Sequence, residues 1–341
     1  MPTVIASIQG SYEVRRADIK IDHDDIVHLI RSADGKPGRS EEKFRWFYEK
    51  PYEGPTIPLL LHHLPSNSTV GLIAIGSRRL LVNGQSISAG LMADLHVEAA
   101  HRSLLPALTL LRAATAAGLE EHGVLYGYPN TFAQPLMRRA GYELVAQFSR
   151  FVYLLRIANY LPNWIPKPIR LPIGLAADVV HWVRHALPAT LARRVLATEN
   201  PYAPSTVVGA HKARFLNWRF GPDSPQRCIL LPAPASLETV SAGLNAVETR
   251  GDVDYVRFLP YSDPTAKDSA RDWRLLLRTA RRTGRASISF ACTADAALQS
   301  RLIDAGFTYR DQRPVFAIWR AELASQLRGA SWMLTDADED E

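Results

Sequence analysis

The chain has 341 residues, of which 47% are hydrophobic and 22% charged, so it is long enough for about two domains with ordinary globular cores. Its net charge of +6 comes from scattered basic residues without a concentrated block, and we therefore expect no nucleic-acid partner. Cys228 and Cys292 lie far apart and belong to no Cys/His cluster, which argues against a disulfide framework or a structural zinc site. We expect no metal and, since residues 1–12 lack a signal-peptide pattern, a cytoplasmic location.

The first predicted elements in chain order are a strand and a helix with an acidic start in residues 14–33, then an apolar strand at 58–64. Two β-rich runs follow and flank Asn83 and Gly84. This pair is typical of a two-residue type I′ hairpin turn, because both positions tolerate positive φ. Gly90, inside the second strand of the hairpin, indicates a bulge or the close approach of another group to the backbone.

From Val97 onwards the hydrophobic period changes from that of a strand to that of a helix. The helix begins near Ser103 and is followed by a short apolar strand, "VLYGY". Asn130 is placed to cap a further helix that stops at Gly141, and an alternating stretch then predicts a closing strand. The first domain is therefore predicted to comprise residues 1–156.

Residues 157–210 form a predicted connector with many prolines and two short helices broken at Pro188. Its apolar run is shorter than the ~20 residues that span a bilayer. The apolar side chains in it could pack between two domains or rest on a membrane surface. We favour interdomain packing and keep peripheral membrane contact through residues 160–190 as the alternative. The side chains concerned are Trp164, Ile165, Ile169, Ile173 and Trp182.

Residues 211–341 repeat the order of features found in the first domain. Aromatic residues surround Trp46 and Trp218, each before a Pro/Gly turn, and later helices end in an Ala-Gly-aromatic sequence at Gly141 and Gly306. The matched order predicts a tandem duplication. The chain closes on the acidic run "DADEDE", which we expect to be a solvated tail.

The junction between strand and helix at residues 97–107 suits a phosphate group. A helix N-terminus has unpaired backbone N–H groups and a partial positive charge, and Arg102 adds a charged donor. Ser103 and Ala107 are small enough for close approach to the backbone, whereas Leu105 is not. We expect the Leu105 side chain either to turn into the core or to close the site. The corresponding region of the second half has no such turn. We therefore expect the first half to bind a phosphate group and the second half not to bind one.

Taken in order, "DLHV", "HRSLLPAL" and "GYPNTFAQPLMRRAGY" resemble the motifs of the GNAT acyltransferase superfamily. "HRSLLPAL" and the closing "WMLTDADED" resemble a bacterial subgroup of it that has a second, degenerate GNAT-like half. The resemblance covers residues 10–156 well and 212–340 weakly. It implies an α/β (α+β) fold of tandem GNAT-like domains, each a mixed, mostly antiparallel central sheet flanked by helices, in residues 1–156 and 211–341. It also implies acetyl-CoA or another acyl-CoA as co-substrate, without a metal.

The resemblance assigns the pyrophosphate of coenzyme A to the turn before the helix, with Val97 and Asn130 on either side of the pantetheine arm. Leu105 stands where the family has a glycine, and Met137 stands where it often has a tyrosine that acts as acid. The cofactor-binding candidates are Val97, Arg102, Ser103, Leu104, Leu105, Pro106, Ala107 and Asn130.

The candidate catalytic groups are Asp94 and His96 as base, which share one face of their strand by its period of two, and Tyr126 and Tyr128 as acid. The alternatives are an ion-paired Asp94, a packed His96 and two core tyrosines. The candidate acceptor site is an aromatic cluster between the two halves, for which core packing is the alternative. Its members are Trp46, Tyr48 and Tyr52, with His62 and His63 beside them.

The favoured function is that of an acyl-CoA-dependent N-acyltransferase, in particular an N-acetyltransferase acting on a small amine such as an amino sugar or amino acid. One alternative is a long-chain acyltransferase that uses acyl-CoA or an acyl carrier protein, which the apolar connector favours. The other is a degenerate GNAT-like binding or scaffold protein, which Leu105 and Met137 favour. The oligomeric state is left open.

Overall fold

The structure, a computed structural model, describes residues 4–8, 10–34, 38–161, 164–185, 205–232, 244–258, 269–294, 296–304 and 306–339. The strands of the first half are β1 Val4–Ile8, β2 Tyr12–Arg16, β3 Ile57–His63, β4 Ser68–Val82, β5 Gln85–Val97, β6 Val124–Gly127 and β7 Glu143–Leu154. Its helices are α1 His23–Asp34, α2 Arg39–Lys43, a π-helical turn Phe44–Glu49, α3 Leu104–Glu121 and α4 Gln134–Arg139.

The rest of the chain adds five helices and seven strands in its described part. The helices are α5 Lys167–His185, α6 Ala213–Phe220, α7 Ser269–Arg282, α8 Ala296–Asp304 and α9 Ala324–Leu327. The strands are β8 Thr206–Gly209, β9 Ile229–Pro232, β10 Leu244–Arg250, β11 Val253–Phe258, β12 Ser287–Thr293, β13 Phe307–Trp319 and β14 Ser331–Met333.

A single mixed sheet runs through both halves in the order β1-β2-β3-β4-β5-β6-β13-β7-β12-β11-β10-β9, while β8 pairs with β4 and β14 pairs with β8. Most neighbours are antiparallel, but β5 pairs β6 in parallel and β11 pairs β12 in parallel. The closing strands are exchanged, because β13 lies between β6 and β7 and β7 also pairs β12. The predicted mixed and mostly antiparallel α/β class is confirmed, whereas the domain boundaries at 156 and 210 stay predictions.

The two halves share one order of elements. The first has three antiparallel strands, helix α3, strand β6 parallel to β5, helix α4 and strand β7. The second has β9 to β11, helix α7, strand β12 parallel to β11, helix α8 and strand β13. The duplication stays a prediction, which this order supports.

The sheet has two faces that we name by the helix that covers each in the first half. On the α3 face, Ile75, Leu125 and Phe316 pack with α3 in one core. On the α1 face, Leu72 and Ala93 pack with α1, and a neighbouring core on β6, β7 and β13 continues that face. Successive side chains of a strand alternate between the faces, so residues two positions apart on a regular strand lie on the same face.

The local predictions for the hairpin are confirmed. Asn83 and Gly84 have φ of 50° and 80°, as a type I′ turn requires, and Val82 pairs Gln85 across it. Gly90 marks a close approach, because a Cβ there would lie 2.6 Å from side-chain carbons of both Ile75 and Leu125. Only a glycine leaves room for these two core side chains.

Three of the apolar side chains of the connector are exposed in its described part, and its packing between domains stays a prediction. Trp164 is 82% exposed, and Ile169 and Ile173 are about half exposed. Pro188, the predicted break between two helices, lies outside the described residues. Among the described residues, none of the helices is both long and apolar enough to cross a bilayer. Peripheral membrane contact through residues 160–190 stays a prediction.

The prediction of a solvated acidic tail is wrong for residues 336–339, the part of it that the structure describes. Asp336, Asp338 and Glu339 are all at most 6% exposed. Asp338 Oδ1 lies 2.8 Å from His211 Nε2, and its Oδ2 accepts the Thr335 backbone N–H at 2.8 Å. The acids are buried because basic and backbone donors from distant parts of the chain surround them, which a charge run alone does not reveal.

Candidate active site

The start of α3 has the geometry predicted for the phosphate turn. Strand β5 ends at Val97, Ser103 is the N-cap residue in extended conformation, and α3 begins at Leu104. The Arg102 Nε–H donates to the Val97 carbonyl at 3.1 Å, which holds the exposed guanidinium beside the end of the strand. The Ser103 N–H donates to the His101 carbonyl, and Pro106 has no N–H. The N–H groups of Leu104 and Leu105 remain as donors for an anion.

The Leu105 side chain does not turn into the core, because it is 61% exposed. Leu104 is exposed as well, at 45%, while Pro106 and Ala107 are buried and anchor the helix on the sheet. Leu105 therefore stands at the mouth of the candidate phosphate site. Its side chain does not fill the core below this turn.

Strands β5 and β6 separate next to this turn. Their parallel ladder runs from Ala89 opposite Val124 to Leu91 opposite Tyr126, and β5 then continues towards Val97 paired with β4 but no longer with β6. In this stretch β5 bulges, and Asp94 has a φ of 54°. The bulge puts Asp94 on the same side as its neighbour Ala93, which belongs to the core of the α1 face.

Met137 fills the α3 side of the separation between the two strands. It is 4% exposed, and a Cβ on Gly127 would lie 3.1 Å from its Cε and 3.3 Å from Met92 Cβ. The position of the family's tyrosine is therefore occupied by a packed, apolar side chain that has no proton to give.

Asp94 is held by two side chains, one from the last residue of α2 and one from the π-helical turn that follows it. The Lys43 Nζ donates to Oδ1 at 2.6 Å, and the Tyr48 hydroxyl donates to Oδ2 at 2.6 Å. These contacts match the alternative prediction, in which Asp94 forms an ion pair, and the cation is a lysine. Its role as base stays a prediction.

His96 follows on the α1 face and differs from Asp94 in its surroundings. Its Nε2 is buried and has no hydrogen-bond partner among the described residues. Burial lowers the pKa of His96, and the charge of Arg102 lowers it further. The imidazole is therefore neutral at pH 7 and able to accept a proton.

The two candidate acids lie side by side on the α1 face, at and just beyond the end of β6. Tyr126 is fully buried, and its hydroxyl donates to the Asp338 carbonyl at 3.0 Å. The Tyr128 hydroxyl is buried without a hydrogen-bond partner in the described part of the chain. Burial raises the pKa of Tyr128 well above its ordinary value, and the charges of Asp338 and Glu339 act in the same direction. Tyr128 therefore keeps its proton at neutral pH, and its role as acid stays a prediction.

The predicted acceptor cluster is mainly packed. Trp46 stacks on Trp218 at 4.5 Å and donates to its carbonyl, and Tyr48 is 1% exposed. Tyr52 contacts the rings of Phe215 and Trp218. These contacts join the two halves of the chain, and binding of a substrate by the cluster stays a prediction.

Asn130 closes the turn before α4, because its Oδ1 accepts the N–H groups of Phe132 and Ala133, whereas the helix that it was predicted to cap begins later, after Ala133 as N-cap residue. Its contact with a cofactor stays a prediction.

The sequence did not predict a cluster of side chains around His101. The Tyr12 hydroxyl lies 3.0 Å from His101 Nδ1, and the His63 ring lies 4.5 Å from that of His101. These contacts fix the position of the residue before Arg102. No sequence motif predicts them, because they join segments that lie far apart in the chain.

Within the described ranges, no cluster of three or more His, Cys, Asp or Glu side chains could hold a metal ion.

Comparison with known proteins relates the chain to one fold. No protein-family model matches it, and no curated protein sequence matches it. A solved structure of a probable N-acyltransferase from Enterococcus faecalis superposes with a TM-score of 0.58 at 9% identity, covering 92% of this chain and 74% of that one. A GCN5-related N-acetyltransferase from Anabaena variabilis gives 0.52 at 15% identity, with 90% and 72% covered. N-myristoyltransferase from Saccharomyces cerevisiae, with bound myristoyl-CoA, gives 0.51 at 13% identity, with 93% and 82% covered.

The chain therefore has the fold of the GCN5-related N-acetyltransferases, which N-myristoyltransferase shares. This confirms the resemblance to the GNAT superfamily at the level of the fold. The degenerate character of the second half stays a prediction.

Proposed function

We propose that the protein is an N-acyltransferase that takes an acyl group from an acyl-CoA and transfers it to a small amine. The observation that carries the proposal is the exposed start of α3, where Arg102 is anchored on Val97 beside the separation of β5 and β6. An exposed helix N-terminus with a fixed guanidinium suits a pyrophosphate. The GNAT fold supports the same assignment.

The proposed reaction forms an N–C bond between the amine and the acyl carbon and breaks the C–S bond of the thioester. His96 is the better-placed base, because its Nε2 has no hydrogen-bond partner among the residues that the structure describes, whereas Asp94 is engaged with Lys43 and Tyr48. Tyr128 is the proposed acid that returns a proton to the thiolate. Asp94 then acts as a positioning residue that fixes the bulge of β5.

Binding of coenzyme A tests the proposal directly. We expect millimolar coenzyme A to raise the Tm of the protein, because a ligand that binds the folded state alone stabilises it. The Arg102→Gln variant should lose most of this rise. Arg328→Gln, which removes an exposed arginine paired with Glu143, is the matched control and should retain it. Absence of any rise in the wild type would contradict the proposal.

The acyl group is proposed to be acetyl, with a longer chain as the alternative. The exposed apolar side chains of α5 and the preceding turn, among them Trp164 and Ile169, favour the longer chain because they suit a lipid-like substrate. The yeast N-myristoyltransferase shows that this fold also accepts myristoyl-CoA. Transfer assays with acetyl-CoA, octanoyl-CoA and myristoyl-CoA on the same amines decide between the two.

A binding or scaffold protein without catalysis is the third candidate. The exposed Leu105 at the mouth of the phosphate site and the buried Met137 in place of an acid favour it. This candidate requires that the wild type does not bind coenzyme A and that Leu105→Gly does. Binding by the wild type would remove it.

A further inference from the structure

A polar cavity of about 330 Å³ lies on the α1 face of the second half. This volume is in the range of sites that hold small molecules. Strands β7, β10, β11, β12 and β13 and the C-terminal segment all contribute to its lining. Its charged side chains are Arg150, Arg250, Arg257, Arg313, Asp311 and Asp336. Arginines outnumber acids in the lining itself by four to two, and the carboxylates of Glu248 and Glu339 pair with these arginines from outside the lining.

The cavity exists because the second half leaves this face of its sheet polar. On β11 and β12, Val256 and Phe290 enter the core on the side of α7 and α8. Tyr255, Arg257 and Ser289 alternate with them and line the cavity instead. In the first half α1 covers the corresponding face with apolar side chains. In the second half α6 packs on β9 and β10, and β11 and β12 keep polar side chains at the cavity wall.

The arginines of the cavity wall are held in place by carboxylates, of which Asp336 lines the cavity and Glu248 does not. Arg257 donates to Glu248 at 2.9 Å and to Asp336 at 3.1 Å, while Arg250 donates to Glu248 at 2.5 Å. The guanidinium groups of Arg250 and Arg257 also lie 5.5 and 5.1 Å from the centre of the Tyr255 ring. Side chains held in this way lose little conformational freedom when a ligand binds.

The cavity also borders the candidate catalytic groups. Phe148 and Arg313 line it, and both contact the ring of Tyr128, at 5.2 and 5.5 Å. On β13, Arg313 lies three residues, or about 10 Å, before the residue that pairs with Gly127. Seen from that residue, Arg313 lies in the direction in which β6 ends. The cavity therefore shares the α1 face with His96 and Tyr128, and two of its lining side chains contact Tyr128.

We propose that this cavity binds the carboxylate or phosphate group of the acceptor, so that the acceptor is an amine that carries an anionic group. Guanidinium groups recognise both anions through paired N–H donors, and several converge here. The anionic end is held in the second half and the amine reaches towards Tyr128 and the acyl group. The identification of the ligand as acceptor rests on the proposed function, whereas anion binding by the cavity does not.

Anion binding is tested with inorganic phosphate and with acetate at constant ionic strength, by isothermal titration of the full chain. The double variant Arg150→Gln, Arg250→Gln removes two lining charges that are each about half exposed, so the fold is expected to persist. It should bind the preferred anion at least about tenfold more weakly than the wild type. The Arg102→Gln variant distinguishes anion binding at the start of α3 from binding in the cavity, and Arg328→Gln is the matched control. Both variants should retain binding in the cavity. Equal affinity in the double variant and the wild type, or no binding at all, would overturn the proposal.

The role of the cavity in acceptor choice is tested by turnover of amino acids against their uncharged amides with acetyl-CoA. We expect the wild type to prefer the amino acids by about tenfold or more in kcat/KM, and the double variant to lose that preference. Equal use of acids and amides by the wild type would overturn the acceptor assignment alone. Anion binding without transfer to any amine would overturn the proposed function and the acceptor assignment together, and leave the anion site standing.

Discussion

The buried carboxylate of Asp338 permits a sharp test of the structure. Asp338 and His211 are each about 5% exposed at their side chains, and their atoms lie 2.8 Å apart. The same carboxylate accepts the Thr335 N–H at 2.8 Å. A Cβ on Gly209 would lie 1.9 Å from Asp338 Oδ1, so the strand that faces the carboxylate has a glycine where any other residue would clash.

The substitution Asp338→Ala leaves the His211 and Thr335 donors without their acceptor. A buried donor that loses its partner costs about 1–3 kcal/mol, so the two together cost about 4 kcal/mol of the free energy of unfolding. That is a large share of the roughly 5–15 kcal/mol that stabilises a folded protein. Asp338→Asn keeps one acceptor oxygen and should cost about half as much.

Urea unfolding followed by tryptophan fluorescence measures the loss. The matched control is Glu143→Ala, which removes an exposed acid that pairs with the exposed Arg328. Surface pairs of this kind contribute less than about 1 kcal/mol. If Asp338→Ala lowered the free energy of unfolding by no more than Glu143→Ala, the burial of the acidic segment would be refuted.

Three further predictions follow from single residues. Arg102→Gln should raise the pKa of His96, because a positive charge that lowers it is removed; NMR titration of the imidazole protons measures the change, and an unchanged or lower pKa would contradict it. Leu105→Gly should tighten coenzyme A binding in a titration, since it opens the mouth of the phosphate site, and weaker binding would show that the leucine contacts the ligand. Gly90→Ala should cost about 1–3 kcal/mol in urea unfolding, because the added methyl group overlaps the Ile75 side chain; a neutral effect would contradict the packing described.

The sequence by itself determined the features that depend on neighbours in the chain. The hairpin at Asn83 and Gly84 follows from the φ angles that its turn demands. The start of α3 after Ser103 and the turn at Asn130 follow from local hydrogen bonding and hydrophobic period. The position of Arg102 at a strand-to-helix junction was predictable for the same reason. The resemblance to the GNAT superfamily was predictable with it.

Only the tertiary structure decided the features that join distant segments. The exchange of β7 and β13 between the halves, the contact of Lys43 with Asp94, and the arginine-lined cavity each bring together residues far apart in sequence. The acidic end shows the same limit, since five acids in six positions are typical of a solvated tail. The three described acids, Asp336, Asp338 and Glu339, are buried here because His211, Arg257 and Arg313 supply the partners that water would otherwise provide, and the chain brings those partners close only when it folds.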